Sequence, residues 1–188
     1  KSIQHHISRT DLTDKIYVEE KIKLPDLKVS GQFDFGQIDK ETNIFTVYDL
    51  KTAAAYKWTT KFGLKKNRKP NSDTNYKLQI GTYGLGIIAD DKYKAESVQL
   101  RLVWYNKNTS MMREQIISSD WMDKALEYWT EVNDILSEVG GSFQEELTPE
   151  YSAGVPFQDW ECRYCPYYSQ CPSTLADKPT KRSSNVTK

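Results

Sequence analysis

At 188 residues, with 38% hydrophobic and 28% charged side chains, the chain has the length and composition of one globular domain with room for a sizeable core. Its 26 basic and 26 acidic residues cancel to a formal net charge of zero, which excludes polyanion binding over the whole surface. No apolar run approaches a membrane span and no apolar stretch near the N-terminus marks a secretion signal, so a cytoplasmic protein in a reducing compartment is expected.

The sequence starts at Lys1 without a methionine, as a fragment or a domain cut from a longer protein would. Residues 16–24 alternate loosely and predict a first strand. Two short apolar-rich runs follow, one ending near Asp34 and one near Asp49, joined by a polar turn over 39–43; together they predict a hairpin. The run 44–50 is too apolar for an exposed edge and reads as a strand buried on both faces. It nevertheless carries Asp49 and Lys51, which share one strand face with Phe45 and Val47 because side chains alternate with period two. Charges in such a place need partners. With Asp34 brought beside them at the end of the preceding strand, the group suits a hard divalent cation and a water to be deprotonated. The plain alternative is a solvated pair at a turn.

Beyond Thr52 comes a basic stretch. Lys57, Lys61, Lys65, Lys66, Arg68 and Lys69 occur with no acidic residue among them, interleaved with Trp58 and Phe62. Such a stretch is read as a positively charged loop, and its aromatics suit single-stranded DNA, where bases stack and phosphates pair with lysine. Residues 69–73 carry loop signals. Residues 75–89 predict a helix with Gln79 and Tyr83 on one face, its glycines permitting close packing. A hairpin is expected over 97–106 and 111–117, turning at 106–109, and then an amphipathic helix over 121–139 capped by Ser119 and Asp120 and ended by Gly140 and Gly141. The polar residues 173–188 predict a disordered tail. The order of elements predicts an α/β fold with a mixed central sheet flanked by helices. Cys162, Cys165 and Cys171 are odd in number and tightly spaced, which favours metal ligation over a disulfide framework.

Gly31-x-x-Asp34, Asp49-x-Lys51-Thr52 and Gln79-x-x-x-Tyr83 resemble, in that order, the motifs of the RecB-type PD-(D/E)xK nucleases. The cysteine set resembles that of the iron–sulfur branch, which includes CRISPR-associated, AddB-like and phage members. The resemblance covers residues 19–172 and implies a restriction-endonuclease-like core within a 1–172 nuclease domain, plus a C-terminal cysteine-rich segment. It implies a metal-dependent DNA exonuclease of recombination, repair, phage replication or CRISPR adaptation, acting on single-stranded DNA or DNA ends. Asp34, Asp49 and Lys51 would be catalytic. Mg²⁺ or Mn²⁺ would be held by Asp34, Asp49, the Leu50 main-chain carbonyl and His5 or His6, and Glu19 or Glu20 fits a further acidic position. Gln79 and Tyr83 would contact DNA or support the site. Cys162, Cys165 and Cys171 would ligate a 4Fe–4S cluster whose fourth cysteine lies upstream of Lys1, with zinc as the alternative. The competing functions are a catalytically inactive DNA-binding module and a zinc-stabilised interaction domain.

Overall fold

The computed structural model describes residues 15–68 and 73–138, together with Pro166. His5, His6, Lys69, the three cysteines and the 173–188 tail lie outside the described residues. The chain divides into two units, Lys1–Thr130 and Glu131–Lys188.

Five strands in the first unit form one sheet in the order β1 (Lys15–Leu24), β2 (Val29–Ile38), β3 (Ile44–Ala53), β4 (Ser97–Asn106) and β5 (Met112–Ile117). The β3–β4 pair is parallel and every other pair antiparallel. A parallel neighbour requires a long crossover. Here the crossover carries α1 (Ala55–Phe62), a 3₁₀ turn at Lys65–Asn67 and α2 (Thr74–Ala89); α3 (Asp120–Glu138) follows β5. The result is an α/β fold with a mixed five-stranded sheet, consistent with a restriction-endonuclease-like core.

Burial follows the sequence pattern. Phe45, Thr46, Val47, Tyr48 and Asp49 are all buried, so β3 is covered on both faces as its unbroken apolar run requires. Tyr17, Phe33, Phe45 and Tyr93 pack their rings against one another, mostly tilted or edge-on. Ile80, Tyr83 and Ile87 of α2 join the same core as Leu100, Leu102 and Trp104 of β4. The close approach at Gly81 depends on the missing side chain, because a Cβ there would strike the Trp121 main-chain carbonyl.

Two expectations need correction. Residues 55–62 form a helix rather than the start of a loop. Trp58 and Phe62, one turn apart, pack together with ring centroids 4.7 Å apart, and both lie against the core. Their partial burial against the core favours the helix despite its run of lysines.

Asp34 is the second correction: it stands in the middle of β2, not at its end. β1 pairs along β2 as far as Ile38 and so extends it past the carboxylate. The sheet is irregular at this level. Glu19, opposite Asp34, is skipped in the β1–β2 register and has left-handed backbone (φ 51°). The core-facing residues shift parity there, from Tyr17 to Ile22 in β1 and from Phe33 to Ile38 in β2. Pairing of β2 with β3 runs from Ile38↔Phe45 to Phe35↔Tyr48 and stops short of Asp34 and Asp49. The two strands therefore part where their carboxylates stand.

Candidate active site

The parting of β2 from β3 leaves main-chain groups of β3 without a strand partner on that side. Asp34 Oδ2 takes one of them, accepting from the Leu50 N–H at 2.7 Å. The N–H and C=O of one strand residue point to the same side, so the Leu50 carbonyl faces the Asp34 side as well. Asp49, one residue earlier, is buried with its side chain 4% exposed. Burial raises the Asp49 carboxyl most, Lys51 pulls it down and Asp34 pushes it up again, leaving it at about 6.

Lys51 Nζ lies 2.7 Å from the buried Asp49 Oδ2 as an ion pair that lowers the carboxyl against its burial. One ammonium offsets only part of the cost of burying this carboxylate beside Asp34, since burial still outweighs it. A divalent cation would relieve it. The donor set suits the hard, oxygen-seeking kind: two carboxylates, one exposed and one buried, with a main-chain carbonyl on the same side. Among the described residues no third His, Cys, Asp or Glu completes a cluster with them. Glu20 is turned to Lys92 at 2.6 Å, and Glu19 is exposed, so neither upstream glutamate joins the pair. His5 and His6 lie outside the described residues.

The lysine is held from three sides. Besides the Asp49 ion pair, Lys51 Nζ donates to Gln79 Oε1 at 2.7 Å and sits 4.8 Å from the centre of the Tyr76 ring. Gln79 Nε2 donates in turn to the Tyr83 hydroxyl at 2.8 Å. Lysine can only donate, so the amide oxygen must face it, which fixes the Gln79 orientation. Burial first, then the charges of Asp49 and Asp34, raise the Tyr83 phenol above its ordinary value against the lowering effect of Gln79, so the phenol stays protonated at neutral pH. The Tyr83 ring closes the chain at Gly31, where a Cβ would stand 2.9 Å from Tyr83 Cε1. Gly31, Asp34, Asp49, Lys51, Gln79 and Tyr83, scattered over the sequence, thus meet in one connected assembly.

The basic stretch divides. Lys61 is turned inward, its side chain 9% exposed, in an ion pair with Asp73. Asp73 is buried and also takes Lys77 at 3.2 Å and Gln115 Nε2 at 3.1 Å. Lys57 lies 5.3 Å from the centre of the Tyr76 ring that Lys51 also occupies. Burial lowers the Lys57 ammonium, partly offset by the Asp73 charge. Lys65 and Lys66 are exposed in the 3₁₀ turn, and Arg68 donates through Nε to the Gly63 carbonyl at 2.8 Å. Tyr76 and Asp73 escaped the sequence reading. Tyr76 was within reach, since it precedes Gln79 by three residues on the same helix and so shares its face.

The sequence pattern of the PD-(D/E)XK nuclease superfamily matches residues 3–172. Among solved structures, the crystal structure of SSO0001 is similar with a TM-score of 0.44 and 17% identity, over 93% of this chain and 67% of that one. A protein from Eubacterium rectale bearing the name "putative exonuclease" gives a TM-score of 0.41 and 17% identity, over 72% of this chain and 50% of that one. No curated protein matches the chain.

Proposed function

Because this chain belongs to the PD-(D/E)XK nuclease superfamily, we propose that it hydrolyses DNA phosphodiester bonds from a strand end, with Mg²⁺ or Mn²⁺ at Asp34, Asp49 and the Leu50 carbonyl. The observation that supports this most strongly is the buried Asp49 carboxylate, held beside Asp34 with its carboxyl raised to about 6 and with Lys51 Nζ 2.7 Å away on the same strand. A cation there would supply charge neutralisation at the phosphate and a more acidic water. The chain's own groups do the rest. Asp34, fixed by the Leu50 N–H, and Asp49, buried near enough for Asp34 to raise its carboxyl, would be the carboxylates that hold the cation. Lys51 Nζ, gripped by Gln79, set over Tyr76 and beside Asp49, would orient the attacking water or accept its proton. Gln79 and Tyr83 position the lysine rather than touch the reacting atoms. The exposed Lys65 and Lys66 would meet phosphates farther along the strand. The pathway served, whether recombination, repair, phage replication or CRISPR adaptation, follows from the resemblance alone. So does a 4Fe–4S cluster, or zinc in its place, on Cys162, Cys165 and Cys171.

End preference is tested with end-labelled linear DNA, single- and double-stranded, beside covalently closed circles, each with Mg²⁺ or Mn²⁺. Linear DNA should be shortened from its termini while circles stay intact. Cleavage of circles at the same rate would make the protein an endonuclease, and no cleavage of any substrate would leave the inactive DNA-binding alternative.

A further inference from the structure

Arg113 is an isolated cation in the sequence, between Met112 and Glu114, and no basic run marks it. The sheet register nevertheless places it in line with the site. Lys51 of β3 stands opposite Trp104 of β4, and Trp104 stands opposite Arg113 of β5, so the three project from one face in a single row. With neighbouring strands about 4.8 Å apart, Arg113 is rooted roughly 10 Å from Lys51. Aromatic rings fill the space between them. Tyr76 and Phe62 both pack edge-on against Trp104, at 5.5 and 5.9 Å, and Phe62 also lies against Trp58. Lys51 caps this row at the Tyr76 ring. The Arg113 guanidinium caps the other end, 5.2 Å from the centre of Phe62 and 5.9 Å from that of Trp58. The two cations differ in how their charge is met. Lys51 has Asp49. Lys61, Lys77, Lys92 and Lys124 also lie over rings, and each has a carboxylate at ion-pair distance as well. Arg113 is exposed, and among the described residues no carboxylate pairs with it; the adjacent Glu114 is taken by Arg101, on the opposite face of the sheet. A guanidinium held against aromatic rings keeps a planar fork of N–H donors, which fits two oxygens of one phosphate. The exposed Lys65 follows Phe62 by three residues, with Lys66 next to it, so more positive charge gathers at this end of the row.

We propose that Arg113 is a distal phosphate clamp, which together with Lys65 and Lys66 binds the backbone of the substrate strand away from the scissile phosphate and touches none of the reacting atoms. The inference deepens the nuclease reading and rests on it for the identity of the strand. A separation of roughly 10 Å from Lys51 corresponds to about two or three nucleotides, so a substrate of two nucleotides is too short to use the clamp.

The test uses the full chain and compares wild type, Arg113→Met, Arg113→Gln, Arg113→Lys and Lys124→Gln, the last removing a ring-held cation that Asp120 already neutralises. Fluorescence anisotropy with a single-stranded oligonucleotide, in chelator and across a salt series, gives the slope of log affinity against log salt. Cleavage with Mn²⁺ gives kcat and KM for a long oligonucleotide and for a dinucleotide. Arg113→Met keeps an apolar stem over the rings and should melt like wild type. Both it and Arg113→Gln should flatten the slope by about 0.7. On the long substrate they should raise KM by about 5- to 20-fold with kcat retained, and on the dinucleotide they should match wild type. Arg113→Lys should recover most of the slope, and Lys124→Gln should keep it. An unchanged slope in Arg113→Met and Arg113→Gln, whatever their melting temperatures, would overturn the assignment. So would an equal flattening in Lys124→Gln, or an equal loss on the dinucleotide. If wild type binds DNA but cleaves nothing, the nuclease reading fails while the slope still decides Arg113; if it binds no DNA, both fail.

Discussion

Asp49→Ala and Lys51→Ala are each expected to lower phosphodiester cleavage by roughly 10³-fold or more, with the fold retained. Asp49 and Lys51 project from the same face of β3, and each is surrounded by groups that would be pointless without the other. Asp49 Oδ2 is buried with Lys51 Nζ 2.7 Å away as its counter-charge, and Lys51 is held by an amide and an aromatic face that contribute no negative charge of their own. The two losses should differ in kind. Removing Asp49 takes away an oxygen donor, so divalent-ion affinity should fall with activity. Removing Lys51 leaves both carboxylates and should spare cation binding, which calorimetric titration of Mn²⁺ would detect. Neither substitution should weaken folding much, because Asp49→Ala removes a buried charge and Lys51 lies toward the open end of the strand. Either variant cleaving at near wild-type rate, with a native circular dichroism spectrum, would refute these roles.

Asp73→Ala should destabilise the protein by about 3 kcal/mol or more, on the order of 10 °C in Tm. Its carboxylate, 6% exposed at the side chain, is the counter-charge for Lys61 and Lys77 and also accepts from Gln115, so its loss strands buried ammonium groups. Burial alone would raise the Asp73 carboxyl. Hydrogen bonds from Lys61 and Gln115, and the lysine charges, outweigh it and bring the group below the ordinary carboxylate value. Lys61, with the one carboxylate against its own burial, is lowered. The sign for Asp73 is therefore that of a carboxylate depressed on folding. Its stabilisation is fully present above the unfolded value, near 4, and is lost as pH falls through the lower folded value. The Tm gap between wild type and Asp73→Asn should accordingly be wide at pH 7 and close below about pH 4. A gap independent of pH would mean that the carboxylate's charge is not what holds α1 to α2.

Much of this was legible in the sequence because it rests on local pattern. The unbroken apolar run of β3, the alternation in β4 and the glycine-tolerant helix α2 each reflect burial, which leaves its mark residue by residue. The β2–β3 hairpin and its turn were legible too, though not the point where the two strands part. What escaped depends on partners far apart in the chain. The lysines of α1 read as a solvated loop because their counter-charge, Asp73, lies beyond a turn-rich segment that carries no hint of burial. Asp34 reads as a strand end because hydrophobicity falls there, whereas pairing with β1 carries β2 onward. Gln79 and Tyr83 gave spacing but not role; only the geometry joins Gln79 to Lys51 and Tyr83 to Gly31.

The central claim is that Asp34 and Asp49 hold a divalent cation on which cleavage depends. The most direct measurement is the cleavage rate of an end-labelled oligonucleotide after chelation, followed across a titration of Mg²⁺ and of Mn²⁺, for wild type and Asp34→Asn. The account predicts no cleavage after chelation, saturable recovery in wild type, and in Asp34→Asn either no recovery or recovery displaced to much higher ion concentration. Cleavage that survives chelation, or an Asp34→Asn titration that overlays wild type, would contradict it.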